Sequence, residues 1–456
     1  MARPVNLDWA RLADAVDGAT VEIEGWLSPI ELAAAHRYFF LVPAIACCLG
    51  CPPRNPEQAV EVFADAGIPP QSGPVRLRGV WCRLDDDPNG WRWQLRRARL
   101  IQAPLSRRTV LGALALPLAA VASVPAAAQK DDDSAVAAIL RQHAPIDIHS
   151  HAGRVTRPSN PITDVAGQMR QGGMAAICLA MVADGPTIRP QPDGRIVAVR
   201  QPEPGELYAW SKPAFERLHQ LAREQSIAIV DSAPALAAAT AARPSIVVSA
   251  EGGDFLEGDV DRVDEALTRY GLRHLQLTHY RPNELGDIQT EAPVHGGLTD
   301  FGVAVIRRCN ALGIVVDVAH GTLDLVKRAA ETSSKPLVIS HTSLSANPRP
   351  RSRQISADHA KVIARTGGVI GVWPPGFVYP TLQAMAVGMA RLAETIGVDH
   401  VGIGSDQRGL TGPSVFDSYT QLPDLVGALL ATGFNAAEVG KIVGGNYLRV
   451  FAQTLA

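Results

Sequence analysis

From residue 145 onward the chain alternates short apolar, β-branched runs with helical patterns, and the apolar runs number eight. They fall at residues 146–149, 175–182, 245–250, 272–278, 314–318, 336–340, 368–373 and 401–405. Helical patterns lie between most of them, at 212–225, 259–270, 301–312, 323–332, 357–366 and 381–396. Strands joined by crossover helices run parallel, and eight such units predict an α/β fold, a (β/α)8 TIM barrel.

In such barrels chemistry gathers at the C-terminal ends of the strands. Run one ends in "DIHSHAGR", with His149 and His151, and run three in Glu251. Runs four, five and six end in His279, His320 ("VVDVAHG") and His341 ("LVISHTS"), and run eight in Asp406 ("VGIGSDQ"). A single histidine at a strand end is more often structural. Five histidines and two carboxylates at six of eight ends predict a metal site. Strand side chains alternate with period two, so His149 and His151 face the same way, into the barrel mouth. Neutral imidazoles suit zinc and its neighbours. A carboxylate such as Glu251 has an oxygen for each of two cations. A pair of metals would clamp water and substrate oxygen and lower the water's pKa.

Net charge is 43 − 45 = −2, which argues against a nucleic-acid partner. Four of six cysteines (Cys47, Cys48, Cys51, Cys82) precede residue 83, so the barrel has no disulfide framework. The four could hold a metal or be ordinary packed or free thiols. Residues 1–103 carry short β-rich runs between Pro, Gly and Asp loops and predict a small OB-like β-barrel of unknown role. Residues 104–128 contain "SRRTVLGALALPLAAVASVPAAA". Arg107-Arg108, an apolar run at 109–124 and an A-x-A site have the parts of a twin-arginine (Tat) signal. The run is shorter than the ~20 residues of a membrane span. Periplasmic export is the expectation, with an inner-membrane anchor through 109–124 as the alternative. A fusion and a mis-assigned start both remain open, because 105 residues precede the signal. Residues 129–143 read as a polar linker running into a short helix, and 144–456 as the barrel.

Over roughly residues 144–455 the chain resembles the membrane (renal) dipeptidases, an amidohydrolase-type branch of metal-dependent hydrolases. The motifs are "DIHSH", "SAEGGDFL", "LRHLQLTHY", "GGLTDFGVAVIRRCNALGIVVDVAH", "LVISHTSLS", "SRQIS", "DHVGIGSD" and "GGNYLRVF". The resemblance implies two Zn2+ ions per chain, one on His149, His151 and Glu251, the other on Glu251, His320 and His341. It implies that His279 polarises the peptide carbonyl and contacts substrate. Arg353 would grip the substrate carboxylate, with Arg349 and Arg351 as rivals in the same loop. Asp406 would pass a proton from a metal-bridging hydroxide to the leaving amine. The implied activity is hydrolysis of free dipeptides, including those with a D-residue at the C-terminal position. An N-acyl amino acid or lactam is the alternative substrate, and a non-catalytic, metal-stabilised binding protein is a third reading. Association into a homodimer stays open.

Two positions depart from the family pattern. His151 stands where an aspartate is usual, which makes the site more positive by one charge. Asp254 stands where a histidine is usual, and it either restores that charge from outside the ligand set or serves the local loop. The insert "RPQPDGRIVAVRQPEPGELYAW" is expected to shape the mouth, with Tyr208 and Trp210 as wall residues or plain surface packing.

Overall fold

In the computed structural model each of the eight apolar runs forms a strand, and the strands pair edge to edge into a closed parallel barrel. The structure describes residues 4–29, 36–43, 58–68, 74–84, 92–101, 126–156, 162–191 and 195–456, with 126–133 as backbone only. They belong to two compact units, Met1–Pro125 and Ala126–Ala456.

Among the described residues the first unit has six strands: β1 (Val5–Leu7), β2 (Thr20–Pro29), β3 (His36–Val42), β4 (Val60–Ile68), β5 (Val75–Arg83) and β6 (Trp93–Leu100). They pair in the order β1-β2-β3-β4-β6-β5, and β5 returns to β2, so five strands close into a barrel with β1 outside it. Only β1–β2 and β4–β6 are parallel. A closed five-stranded barrel matches the OB-like expectation. Its interior is apolar, with Val21, Ile23, Phe39, Leu41, Leu77 and Leu95 buried. Trp81 stacks on Trp93 inside it, ring centroids 5.6 Å apart. Cys82 is a free thiol. Cys47, Cys48, Cys51 and the apolar run 109–124 lie outside the described residues. Among the described residues no helix is long and apolar enough to cross a membrane.

The second unit begins with a helix, Ala126–Gln142, so the stretch expected to be a polar linker running into a short helix is helical from its start. Its Ile139 is buried, and Val136 and Leu140 pack against the barrel core, so apolar spacing late in the segment outweighs its polar start. Then come β7 (Ile146–Ser150), β8 (Ala176–Val182), a hairpin of β9 (Ile188–Pro190) and β10 (Ile196–Ala198), and the short β11 (Ala228–Ile229). The rest of the barrel is β12 (Ser245–Glu251), β13 (Leu272–Gln276), β14 (Val315–Asp317), β15 (Val338–Thr342), β16 (Val369–Val372) and β17 (Val401–Ile403). Closure comes from β17 pairing with β7 and β8 with β12.

The barrel has two thin seams. β14 and β15 share the single register pair Asp317–Val338, and β17 and β7 share Ile403–Asp147. At each seam a fully buried aspartate supplements the ladder. Asp317 Oδ1 accepts the backbone N–H of Ser340 at 3.0 Å. Asp147 Oδ1 accepts that of Ser405 at 2.8 Å, and its Oδ2 accepts the hydroxyls of Ser405 (2.5 Å) and Tyr419 (2.8 Å). Ser340 and Ser405 directly precede His341 and Asp406, so the staples fix the residues that carry the site.

Two glycines make room beneath the mouth. A Cβ on Gly371 or on Gly404 would stand 1.9 Å from the carbonyl oxygen of Ser340. That neighbour is backbone and cannot rotate aside. Gly371→Ala or Gly404→Ala should therefore cost about 1–3 kcal/mol by overpacking. A denaturant midpoint equal to wild type for both variants would refute this.

Candidate metal centre

β12 delivers Glu251 to the centre of the barrel mouth, where its carboxylate is buried. Five imidazoles surround it. Oε1 lies 3.4 Å from His149 Nε2, 3.3 Å from His320 Nε2 and 3.4 Å from His341 Nε2. Oε2 lies 3.1 Å from His151 Nε2 and 3.2 Å from His279 Nε2. Asp406 Oδ1 is 3.5 Å from His151 Nε2, and its Oδ2 accepts Trp373 Nε1–H at 3.2 Å. All seven expected ligand, proton-transfer and carbonyl-polarising side chains thus meet in one cluster, forming the overlapping triads His149–Glu251–His341, His149–His151–Asp406 and Glu251–His279–His320.

The far side of four of the five rings sets its aim, while His320 Nδ1 is buried without a hydrogen-bond partner among the described residues. His151 Nδ1 donates to the carbonyl of Ala180 at 3.1 Å. A carbonyl only accepts, so in the neutral ring Nε2 keeps the lone pair. Ser340 Oγ sits between His149 Nδ1 (3.3 Å) and His341 Nδ1 (2.9 Å) and orients both. His279 Nδ1 donates to the buried Asp184 at 2.7 Å. Facing Nε2 atoms come within 3.1 Å in two pairs, His149–His151 and His320–His341. Two lone pairs at that distance repel unless a proton or a cation lies between them. Imidazole nitrogens around a carboxylate are the donors borderline transition metals take, so the residues present fit a metal. Their outer partners, Ala180 O and Ser340, match the support metal-ligating histidines need.

Electrostatics divide the histidines. Burial pushes His320 and His341 well below the usual histidine value, with Arg353 and His149 adding to it, so both rings are neutral. Burial opposes charge on His279 as well, but Asp184 and Glu251 raise it to about 9. A protonated His279 donates through Nε2 and is not a metal donor. Burial opposes the charge of Glu251, yet His279 and His149 hold its carboxyl well below the carboxylate range. Burial raises Asp406, against the pull of His151 and His149.

A cavity of about 300 Å³ opens above the cluster. Arg353 lines it, 9% exposed, its Nη1 on Gln289 Oε1 (3.1 Å) and its Nη2 on the carbonyl of His341 (3.3 Å). Arg349 and Arg351 are exposed and absent from the lining. The hairpin β9–β10 contributes Ile188, Pro190 and Ile196 to the wall. Tyr208 and Trp210 do not line it. Lys212 and Arg262 flank the Tyr208 ring, and Trp210 Nε1 donates to Val182 O at 3.0 Å. Asp254 pairs with Arg281 at 2.9 Å and accepts Asn283 Nδ2 at 3.1 Å, so it serves the local loop.

Reading strand ends alone missed Asp184, Trp373 and Ser340. Asp184 and Trp373 follow or end strands two and seven, the ends that carried no expected ligand. Ser340 precedes a ligand histidine in sequence, and that adjacency was the signal available.

Residues 212–456 match the membrane dipeptidase family, peptidase family M19, over more than half of the chain. The chain belongs to that family. His149 and His151 lie ahead of the matched stretch. Residues 3–81 match a second family, DUF3299, of unknown function. Dipeptidase verJ of Clonostachys rogersoniana is 31% identical over 190 residues, 40% of this chain and 49% of that protein. Dipeptidase aclJ of Aspergillus oryzae is 32% identical over 195 residues, 40% of this chain and 45% of that protein. The chain thus spans about half the length of these relatives. Among solved structures, the probable dipeptidase PvdM from Pseudomonas aeruginosa superposes with TM-score 0.60 at 18% identity, covering 72% of this chain and 99% of that one. A metallo peptidase from Rhodobacter sphaeroides, liganded with a phosphinate mimic of L-Ala-D-Ala, superposes with TM-score 0.59 at 20% identity, covering 68% and 99%. These likenesses establish the barrel fold of the M19 unit. A metallopeptidase family implies a metal cofactor, and the Glu251 cluster offers its donors.

Burial pushes Asp147 up to about 6, despite its four donors. A carboxyl raised in the folded state stabilises most below its unfolded pKa of about 4 and loses that contribution as pH rises through 6. In the metal-free protein, the stability of wild type relative to Asp147→Asn should therefore fall by about 2 kcal/mol between pH 4 and 7. Chemical denaturation across that range measures it. A flat difference would show that Asp147 is not perturbed.

Proposed function

We propose that the barrel unit is a zinc-dependent dipeptidase acting on free dipeptides. The observation that carries this reading is Glu251, one buried carboxylate ringed by imidazoles, beside the cavity-lining guanidinium of Arg353. His149, His151 and Glu251 would hold one ion, and Glu251, His320 and His341 a second. When bound, the ions supply Lewis acidity to the peptide carbonyl and lower the pKa of water toward neutrality.

The chain's own residues do the rest. Arg353 receives the substrate's C-terminal carboxylate through a charge-assisted pair. Gln289 and the carbonyl of His341 hold the guanidinium in place beforehand. His279, kept protonated by Asp184, donates to the carbonyl oxygen as negative charge grows there. Asp406, in the cavity lining beside His151, accepts a proton from the attacking water and passes it to the departing amine. Trp373 restrains the Asp406 carboxylate during the exchange. We also propose that residues 106–128 direct export to the periplasm. A mature N-terminus at Gln129 would support it, and a chain retaining residues 1–128 would refute it.

Zinc-loaded full chain should cleave L-L and L-D dipeptides and lose activity to a chelator. Arg353→Ala should raise KM by about 10- to 100-fold, because a charge-assisted hydrogen bond is worth roughly 1.5–3 kcal/mol. A dipeptide amide, which lacks the free carboxylate, should be a poor substrate for wild type. Cleavage of N-acyl amino acids or lactams with no dipeptide cleaved would replace this reading. Zinc bound with no substrate cleaved would return it to a binding protein.

A further inference from the structure

We propose that the site selects dipeptides carrying a second carboxylate, received at the mouth by Arg154 and Arg408. The inference rests on the dipeptidase reading and names its substrate class.

Arg154 stands three residues after His151, beyond β7, and Arg408 two residues after Asp406, beyond β17. The two loops are zipped together. Ser150 and Gln407 form a parallel bridge, and His151 N–H donates to Gln407 O at 2.9 Å. The arginines therefore stand on adjoining edges of the mouth, and both line the cavity above the metal centre.

Two further observations point to a ligand. Both residues hold positive φ, 49° for Arg154 and 68° for Arg408, a region that non-glycine residues avoid. Strained backbone of this kind gathers at ligand sites. Neither guanidinium has a hydrogen-bond or ion-pair partner among the described residues. The third cavity arginine, Arg353, is already held by Gln289 and the His341 carbonyl.

The charge balance agrees. Arg154, Arg353 and Arg408 face Glu251 and Asp406 in the lining, 3 − 2 = +1 before any cation binds and without counting His279. Both carboxylates are already engaged by imidazoles. Divalent ions add to the excess, and His151 supplies no negative charge to offset it where the family pattern has an aspartate. An ordinary zwitterionic dipeptide brings no net charge to such a site. A side-chain carboxylate brings one negative charge, in the planar form a guanidinium fork receives.

The test uses the zinc-loaded full chain and two isosteric pairs, Ala-Glu against Ala-Gln and Glu-Ala against Gln-Ala. The acid member of at least one pair should be preferred in kcat/KM by about tenfold, the size of one charge-assisted contact. The preference should shrink toward parity in Arg154→Gln/Arg408→Gln and at high salt. Parity in both pairs, or a preference that survives the double variant, overturns the inference while leaving the dipeptidase reading intact. If none of the four is cleaved, calorimetric binding of the same four decides. Tighter binding of the acids keeps the subsite and removes the dipeptidase reading, and equal binding removes the subsite.

Discussion

A carboxylate taken out of water at the centre of a protein costs several kcal/mol unless matched by opposite charge or strong donors. Glu251 is such a group, and five imidazoles from four strand ends converge on it. Each ring is a costly polar group in its own right. The arrangement persists only because each member answers another's unmet need, and because a cation can replace the repulsion between facing nitrogens. The mouth of the barrel is built around that requirement.

The scaffold meets it by fixing strand ends rather than loops. Asp147 and Asp317 act where the ladder is thinnest, each holding the backbone directly before a site residue. Ser340 then couples His149 to His341, so the two proposed ion positions share one orienting hydroxyl as well as one carboxylate. Asp184 separates His279 from the other rings electrically, making a donor of it while His320 and His341 remain neutral. Rings of one residue type thereby acquire different chemistry from what touches their far nitrogen.

Much of this was legible in the sequence, for physical reasons. Buried parallel strands are continuous apolar runs, so the barrel strands stood out, and catalytic residues follow such runs directly. His149, His151, Glu251, His279, His320, His341 and Asp406 could be picked out on that basis. What depends on side-chain direction or on distant partners could not. Nothing local says that Asp254 turns to Arg281, that Trp210 packs beneath the rim on Val182 O, or that Arg353 lines the cavity while Arg349 and Arg351 do not. The full length of the helix Ala126–Gln142 was hidden because its first half is polar and its contacts are with distant helices.

The central claim is that Glu251 and its imidazoles form a two-ion centre, and anomalous diffraction from crystals of the zinc-loaded full chain, recorded at the zinc edge, tests it most directly. The account predicts two anomalous peaks, one on each side of the Glu251 carboxylate. The first would be bounded by His149 and His151, the second by His320 and His341. No peak at Glu251, with zinc found elsewhere on the chain, would contradict it.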